Sequence, residues 1–570
     1  MMNAGRAAGA SGFAPKKFHS VSAGFNWIIF LSLAFLMLLC MMAGAGWYPL
    51  LSPDEAKHAG IVHDMWAARQ YLIPRINGLP TLDGAPLYYW LSLGFLFLFG
   101  AQEWTLRLPS AISVALILVV MVRVWHVGLP PRSLWVWVLL LVSQPALMLA
   151  GRFAAPDMLN VFLLAAALGC FLRAACCVEM GNWSGPWTMS AWFATALLGL
   201  GAGPLAVFLP MIVVGLWLML RRRFDILASL CWWPGVPAVV LLLLPWQLSA
   251  EAQYPGIIAA TLQKQLRSLI EHGSHGWTTL GHSACWPLML AGILPLVVCL
   301  YRYRDPVRRQ VLRTPVAGLM AVWLAVLIPL HPLMTMTVAG HAMVLVIPLL
   351  YFGVLAMVPG DGGPTWEDAR AWLAYVMLVA VVAGVGLHFF AQRLSKVFPV
   401  TQVISKYYSP TTDKVIMLDR YEYEFNFYMR SPKLVYVAAD WSLENAGRAP
   451  SWKKALLESA GFAPETAKRL LLTTRLSEGL SEGLSEDLAH EGEAKGGNGA
   501  GSGDFTLDDL LDKLCERRVV NLWIIGSEDA PRRHAILADL TTFVGTGKVR
   551  AWYLDEGVEL ARCALWSRQG

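Results

Sequence analysis

A carboxylate and two basic side chains share one face of a predicted helix near the start of the chain. Asp54, Lys57 and His58 stand at positions i, i+3 and i+4, a spacing that places side chains on the same side of a helix. A carboxylate beside a cation can accept a proton from an attacking group while the cation holds a phosphate. The same spacing also suits an ordinary helix start, which is the more common origin of such a pattern.

Capping rules account for part of this segment. Ser52 can cap a helix, Pro53 suits the first helical position, and Glu55 completes a capping box. An acidic first turn also complements the helix dipole. These rules explain Glu55 fully, but they explain Asp54 less completely because any polar residue would serve at its position.

The chain that carries this segment has the composition of a membrane protein. Of its 570 residues, 56% are apolar and only 15% are charged, whereas a soluble chain carries about 25% charged residues. The apolar residues form blocks long enough to cross a bilayer, which takes about 17–25 residues. The sequence therefore predicts an all-α polytopic membrane domain over residues 27–390, with about eleven transmembrane helices.

The basic residues predict how this domain is oriented. They cluster in Arg6–Lys17, Arg221–Arg223 and Arg302–Arg313, and short loops rich in Lys and Arg stay on the cytoplasmic side. The N-terminus, 1–26, is then cytoplasmic, and the loops 46–107 and 249–284 face outward. Because these clusters adjoin or lie between apolar spans, they favour a membrane surface over nucleic acid as their partner.

The tail, 391–570, changes character and predicts a soluble α/β domain outside the cytoplasm. Short β-rich runs alternate with helical stretches, and they include Lys414–Leu418, Leu434–Val437, Val519–Ile525 and Val549–Tyr553. A glycine-rich, low-complexity insertion at about 475–504 is predicted to be disordered. Cys515 and Cys563 could pair if the tail lies in an oxidising compartment.

Several motifs follow one another in a recognisable order. They are Asp54-Glu55-Ala-Lys57-His58, Tyr71-Leu-Ile-Pro74-Arg75-Ile-Asn77-Gly78, Pro86-Leu87-Tyr88-Tyr89-Trp90, Arg107-Leu-Pro109-Ser110, Arg152-Phe-Ala-Ala-Pro156-Asp157-Met158, Gly201-Ala-Gly203-Pro204 and Leu244-Pro245-Trp246. In this order the chain resembles the GT-C glycosyltransferases of family 39, the bacterial aminoarabinose transferase and protein mannosyltransferase-like group. The resemblance covers roughly the first 250 residues by motif and the later spans by hydropathy.

The resemblance implies a function and a set of residues. Such enzymes lie in the bacterial inner membrane and move a sugar from a polyprenyl-phosphate donor to an extracytoplasmic acceptor: a glycolipid such as lipid A, a polysaccharide or a protein. Asp54 is implied as the catalytic carboxylate. Lys57 and Arg152 are candidates for holding the donor phosphate, and Glu55, His58 and Asp157 are supporting candidates. Beside the resemblance, the outer loops offer Arg75, Lys264 and Arg267 for the phosphate and His275 for support, although contact with solvent or lipid headgroups is the more common role of such loop residues. His275 could also join Asp54 or Asp157 around a divalent metal, but no ligand spacing supports this.

Departures from the family pattern keep other hypotheses open. Glu-Lys-Pro is common in the family where this chain has Gly84-Ala85-Pro86, and Thr-Lys-Gly where it has Gly201-Ala202-Gly203. A later Lys-x-Pro-x-Tyr stretch has no clear counterpart around Thr337–Pro348. One alternative is therefore a catalytically degenerate relative that binds lipid or glycan. A transporter is a third reading, which the lack of internal repeats disfavours.

Overall fold

The computed structural model describes most of the helical region and part of the tail. The described residues are 27–51, 53–82, 85–125, 140–141, 144–231, 235–267, 301, 314–330, 338–357, 370, 374, 378, 381, 401, 404–410, 413–439, 441, 450–473, 522–527, 542–546 and 549–554. The chain divides into two compact units. The first comprises Met1–Tyr48, Gly84–Ser249 and Ile258–Phe390, and the second comprises Pro49–Asp83, Ala250–Ile257 and Ala391–Gly570.

The helices are numbered here in chain order. They are α1 (Trp27–Met42), α2 (Asp54–Ala67), α3 (Pro86–Phe99), α4 (Glu103–Val120), α5 (Pro145–Ala150), α6 (Asp157–Glu179), α7 (Gly185–Ala202), α8 (Phe208–Leu220), α9 (Phe224–Leu230), α10 (Gly235–Gln253), α11 (Pro315–Leu330), α12 (Val338–Met357), α13 (Phe425–Met429), α14 (Ser451–Ala460) and α15 (Pro464–Leu470). A π-helical turn, Met121–Trp125, continues α4, and a 3-10 turn, Pro204–Val207, precedes α8. Residues 257–267 are also helical.

Helices of membrane-crossing length lie in the first unit, except for the end of α10 (250–253), which belongs to the second. Within the described residues, Glu103–Trp125, Asp157–Glu179 and Gly235–Gln253 are long and apolar enough to cross a bilayer, and several shorter helices are also apolar. An α-helix satisfies its backbone hydrogen bonds internally, so it is the form that an apolar segment takes in lipid. Helix α6 lies at the centre, since it packs against α4, α7 and α8.

Tryptophans with satisfied ring nitrogens fill the core of this unit. The Trp125 and Trp217 side chains are fully buried. Trp125 donates from Nε1 to the carbonyl of Ala165 at 3.1 Å, and Trp217 donates to that of Pro315 at 3.1 Å. A buried indole contributes large apolar area and stabilises the core most when its N–H is paired. These bonds therefore fix α4 and its π turn on α6, and α8 on α11.

The second unit contains two sheets. Strands β1 (Arg75–Ile76) and β2 (Leu79–Pro80) form an antiparallel hairpin. The described strands of the tail are β3 (Lys414–Leu418), β4 (Tyr436–Ala439), β5 (Leu471–Thr473), β6 (Leu522–Ser527), β7 (Thr542–Thr546) and β8 (Val549–Leu554). They form one sheet in the order β5-β4-β3-β6-β8-β7. Its first four strands run parallel, and β8 pairs antiparallel with both β6 and β7.

The observed helices differ in places from those expected from hydropathy. The sequence predicts one loop over 46–107, but α3 lies inside it, and its 14 residues fall short of the 17–25 or so that a span needs. Hydropathy predicts one span over Ile226–Leu248, whereas the structure describes two helices there, α9, which ends at Leu230, and α10, which begins at Gly235.

Candidate active site

The first turn of α2 carries the residues on which the catalytic hypothesis depends. Helix α2 begins at Asp54, after Pro53. The buried Glu55 carboxylate reaches back and accepts a hydrogen bond from the backbone N–H of Leu51 at 2.8 Å. It thereby makes the backward bond of a helix start. Ser52 lies outside the described residues. The Glu55 carboxylate is therefore engaged in a structural hydrogen bond, whereas the neighbouring Asp54 side chain is exposed.

The surroundings of the Asp54 carboxyl shift its pKa. The protein around it raises the pKa of Asp54 above its ordinary value through desolvation, and the Lys57 ammonium opposes this shift. The pairing of Asp54 with Lys57 at i and i+3 is the one that their spacing predicts. His58, on the next position of the same helix, is buried. An exposed carboxyl with a raised pKa and a cation one turn away suits a general base.

Arg75 belongs to the same unit. It lies in β1, with its guanidinium over the Tyr254 ring at 5.7 Å from the centroid. Its Nε is buried and makes no hydrogen bond to any residue that the structure describes. A guanidinium stacked on an aromatic ring keeps its planar donors directed to one side, which is the geometry that binds phosphate well.

Four further candidates lie in the first unit. Arg152 donates from Nη2 to the carbonyl of Cys40 at 2.8 Å, and its buried Nε has no hydrogen-bond partner in the part of the chain that the structure describes. Asp157 is the buried first residue of α6. Lys264 is half-buried and Arg267 is exposed on the helix 257–267. Arg152 therefore combines a bond to the end of α1 with a buried donor that is unpaired among the described residues.

Arg107, in the fourth motif, makes contacts that stabilise the fold. Its fully buried guanidinium donates from Nη1 to the carbonyls of Ala45 and Tyr48, the latter at 3.1 Å. The guanidinium also stacks on the Tyr48 ring at 3.9 Å, and the Tyr48 hydroxyl donates to the carbonyl of Arg152 at 3.0 Å. This chain of contacts secures the segment after α1 and connects it to the turn before α6.

The predicted site residues thus fall into two bodies. Asp54, Glu55, Lys57, His58 and Arg75 lie in the second unit, and Arg152, Asp157, Lys264 and Arg267 lie in the first. His275 is outside the described residues. Among the residues that the structure describes, no group of three His, Cys, Asp or Glu side chains is placed to hold a metal ion.

Comparison with known proteins relates the chain to transferases that use lipid-linked sugars. Residues 62–260 match the family model described as dolichyl-phosphate-mannose-protein mannosyltransferase. The undecaprenyl phosphate-alpha-4-amino-4-deoxy-L-arabinose arabinosyl transferase of Shewanella sediminis is 26% identical over 279 residues, 47% of this chain and 48% of that one. Its namesake from Erwinia tasmaniensis is 25% identical over 269 residues, 44% of each. This chain therefore spans about half the length of the curated relatives it matches.

The fold comparison covers nearly the whole chain. The crystal structure of ArnT from Cupriavidus metallidurans in the apo state is similar with a TM-score of 0.65 and 16% identity, over 94% of this chain and 99% of that one. The same protein bound to undecaprenyl phosphate gives a TM-score of 0.63 and 16% identity, over 93% and 98%. This chain has the ArnT fold. The resemblance to the GT-C aminoarabinose transferases is confirmed, and the chain is a bacterial multi-pass membrane protein with a helical membrane domain.

The Gly201-Ala202-Gly203 turn, where the family commonly has Thr-Lys-Gly, is closely packed. Gly203 adopts a positive φ of 96°, and a Cβ there would lie 2.1 Å from Nε2 of Gln265. The buried Gln265 amide donates to the carbonyl of Ala202 at 3.1 Å and accepts from the N–H of Leu205 at 3.4 Å. A Cβ at Gly201 would lie 2.4 Å from Oδ1 of Asn160. Two buried amides thus occupy the space around the Gly201–Gly203 turn.

Several residues without a role predicted from the sequence come together around α2 in the structure. Asp64 on α2, Asn77 in the β1–β2 turn and Asn426 on α13 are all buried, and the last two donate hydrogen bonds to the first. The Asn77-Gly78 dipeptide is a hairpin signal that could have located the turn. No local signal connects either residue with Asn426.

Proposed function

We propose that this chain is a membrane glycosyltransferase that moves a sugar from a polyprenyl-phosphate donor to an acceptor outside the cytoplasm. The observation that carries the proposal is the first turn of α2, where the Asp54 carboxyl has a raised pKa and faces the Lys57 ammonium. The ArnT-named relatives and the ArnT fold support the same reaction class. The activity for which those relatives are named favours undecaprenyl phosphate-linked 4-amino-4-deoxy-L-arabinose as the donor.

Asp54 is proposed to act on the acceptor. The Asp54 carboxylate takes the proton of an acceptor hydroxyl, or accepts a hydrogen bond from an acceptor phosphate, while the acceptor oxygen attacks the anomeric carbon of the sugar. The new bond forms from that oxygen to the anomeric carbon, and the bond from the anomeric carbon to the phosphate oxygen breaks. The electron pair stays on the departing polyprenyl phosphate. A positioned base of this kind accelerates a reaction by about 10²–10⁴-fold.

Cationic side chains are proposed to stabilise the departing lipid phosphate. Lys57 and Arg75 are the candidates in the second unit, and Arg152, Lys264 and Arg267 are those in the first. Charge-assisted bonds to phosphate are about twice as strong as neutral ones, and their effect is largest on charge that develops in the transition state. The buried Nε atoms of Arg75 and Arg152, which make no hydrogen bond to a described residue, support their assignment to this role. Glu55, His58, Asp157 and His275 remain supporting candidates.

The finer architecture is part of the proposal. It comprises about eleven transmembrane helices, a cytoplasmic N-terminus and a C-terminal α/β domain on the outer side of the inner membrane. The mixed sheet of β3 to β8 supports the α/β assignment. The basic clusters support the orientation. A glycolipid such as lipid A is one acceptor that fits this placement, with a polysaccharide or a protein as alternatives.

A catalytically degenerate relative that binds lipid or glycan is the second candidate function. It is favoured by the turn at Gly201-Ala202-Gly203, where the family commonly has a lysine and where Gln265 and Asn160 occupy the surroundings. Losing one preorganised charged contact costs about 2.7–4 kcal/mol in a transition state. A protein of this kind would bind polyprenyl phosphate without transferring sugar.

Reconstitution with a labelled donor separates the two functions. The purified full chain, in vesicles of bacterial phospholipid containing lipid A, receives radiolabelled undecaprenyl phosphate-linked 4-amino-4-deoxy-L-arabinose. The transferase proposal predicts label in the lipid A fraction and release of undecaprenyl phosphate. Binding of undecaprenyl phosphate, with no label transferred to lipid A, polysaccharide or protein acceptors, would support the lipid-binding function and contradict the transferase proposal.

A further inference from the structure

Helix α2 has one functional end and one anchored end. Asp54 and Lys57 lie in its first turn, whereas the positions from His58 to Met65 are all buried. The partner of the buried part is in the tail, because α2 packs against α13. A helix is rigid over 14 residues, so its anchorage at one end fixes the position of side chains at the other.

A carboxylate at the anchored end joins three segments. Asp64 accepts hydrogen bonds from the backbone N–H groups of Asn77 and Gly78 and from the side chain of Asn426. Asn77 and Gly78 both have positive φ, at 51° and 77°, as the two central residues of a tight hairpin turn require. The N–H groups of such a turn point into one concavity that suits an anion. Asp64 thus connects α2, the β1–β2 turn and α13.

The same turn is bonded to the strand that follows α13. The Asn77 side chain donates from Nδ2 to the carbonyl of Val435 at 2.7 Å, and its Oδ1 accepts from the N–H of Val435 at 2.9 Å. A Cβ at Gly78 would lie 2.9 Å from Cδ1 of Leu434. The turn and the tail therefore meet without space for a larger side chain.

Three more contacts extend the anchorage along α2 and its approach. His63 donates from Nε2 to the carbonyl of Ser431 at 2.9 Å, and the hydroxyl of Tyr428 accepts from the N–H of Leu50 at 2.8 Å. Gly60 lies so close to the tail that a Cβ there would stand 2.6 Å from the carbonyl oxygen of Tyr423. Gly60, His63 and Asp64 stand at i, i+3 and i+4, so they share one face of α2. Their contacts hold that face against the tail.

We propose that Asp64, Asn77 and Asn426 form a lock through which the tail segment 421–435 positions the helix that bears Asp54. These are positioning residues, which act on the reaction through α2 and touch neither substrate. The inference rests on the proposed function for its catalytic consequence, while the anchorage itself is independent of it. The tail segment is then part of the transferase site, although it contributes no reacting group.

An exchange of polar groups across the lock tests the proposal. Asn426→Asp places a second carboxyl against Asp64, so at a pH high enough to ionise both carboxyls the two repel and α2 loosens. Adding Asp64→Asn restores one carboxyl and one amide, because the new amide at 64 can accept from the turn through Oδ1 and donate to the carboxyl at 426. Asn182→Asp, an exposed asparagine after α6, introduces the same charge far from the lock in sequence and serves as the matched control.

The expected results separate positioning from general damage. Asn426→Asp should lower kcat by about 10²-fold, the usual effect of a small misplacement of a reacting group, with the KM for the donor little changed. Amide hydrogen exchange should accelerate across 54–67 and remain unchanged in α6. The double variant should regain kcat to within about tenfold of wild type, and Asn182→Asp should behave as wild type.

If Asn426→Asp fails to fold, a second variant tests the same lock. Gly60→Ala raises the intrinsic helix propensity of α2 but brings a methyl group against the Tyr423 carbonyl. It should therefore lower kcat and accelerate exchange in 54–67. Gly215→Ala on α8, where a Cβ meets nothing within 4 Å, is its control.

The outcomes distinguish this inference from the proposed function. If wild type transfers no sugar, the function fails, and the exchange measurements decide the lock on their own. Wild-type exchange and kcat in Asn426→Asp, or a double variant no better than the single one, would overturn the lock. Equal kcat in Gly60→Ala and Gly215→Ala would overturn it as well.

Discussion

The side-chain amide of Asn77 forms two hydrogen bonds with the backbone of Val435, at 2.7 and 2.9 Å. The two residues stand 358 positions apart in the chain. A carboxamide that donates to and accepts from one peptide unit copies a rung of a β-ladder. Pro49–Asp83 and the tail belong to one unit, and the helix that begins at Asp54 is part of it.

Removing the cation beside Asp54 should shift the acidic limb of the pH–rate profile. Lys57 lowers the pKa of Asp54 against the opposing effect of desolvation. A general base must be ionised, so kcat/KM rises as pH rises through the pKa of the free enzyme. Lys57→Gln should move this limb to higher pH, and Lys57→Arg should leave it in place. Identical limbs in wild type and Lys57→Gln would show that Asp54 is not the group that titrates.

Asp64 should make stability depend on pH. Burial raises the pKa of the Asp64 carboxyl from 3.8 to about 7, although Asn77, Asn426 and Gly78 donate to it. Over this range the folded chain holds a proton that the unfolded chain releases. The stabilising contribution is therefore fully present below about 3.8 and is lost as pH rises through about 7. The slope is at most about 1.4 kcal/mol per pH unit.

Denaturant unfolding of the full chain in detergent checks this dependence. The free energy of unfolding of wild type minus that of Asp64→Asn should fall between pH 4 and pH 7, roughly the interval that the two pKa values bracket, and should level off above it. The neighbouring Tyr421 has its pKa raised, mainly by burial, and burial lowers the pKa of His63. His63 and Tyr421 are present in both proteins, so their titration cancels in the difference. Parallel curves for the two proteins would therefore contradict the assignment to Asp64.

Replacing Arg107 should destabilise the membrane unit. Its guanidinium bonds to the carbonyls of Ala45 and Tyr48 and stacks on the Tyr48 ring. A lysine ammonium cannot keep the planar stack together with both bonds. Arg107→Lys should cost about 1.5–3 kcal/mol, the usual value of a hydrogen bond from a charged group. Arg123→Lys, an exposed position on the π turn, is the control, and equal unfolding midpoints for the two variants would count against the account.

The glycine turn offers a sharp comparison of substitutions. Gly203→Ala forces a side chain into a positive φ and against Gln265, whereas Gly215→Ala meets open space. Strain of this kind costs about 1–3 kcal/mol, while alanine in place of a helical glycine stabilises by about 1 kcal/mol at most. Thermal unfolding in detergent should therefore show a lower midpoint for the first variant and an equal or higher one for the second. A Gly203→Ala midpoint at or above wild type would contradict the described turn.

The local sequence predicts much of this architecture. Pro53, Asp54 and Glu55 indicate where α2 begins, and the β-rich run Lys414–Leu418 is the strand that the structure shows. Capping chemistry and β-branched composition act over a few residues, so they can be read along the chain. The apolar helix α3 was harder to predict, because its 14 residues are too few for a span and too apolar for a loop.

The anchorage of α2 could not be predicted in the same way. Asn77-Gly78 predicts a turn, but nothing near it indicates that its amides face Asp64 or that Val435 closes the other side. Such pairings depend on tertiary contacts between distant segments. Likewise, Arg107 stands out in a motif, yet its bonds to Ala45 and Tyr48 become visible only once α1 and α4 are packed together.

The central claim is that Asp54 serves as the base of a sugar transfer. The most direct measurement is the single-turnover rate of label transfer from undecaprenyl phosphate-linked 4-amino-4-deoxy-L-arabinose by wild type, Asp54→Asn and Glu465→Gln, in identical vesicles. Glu465 is an exposed acid in the first turn of α15, which makes it a matched control. The account predicts a rate about 10²–10⁴-fold lower for Asp54→Asn and a wild-type rate for Glu465→Gln. A wild-type rate for Asp54→Asn would contradict it.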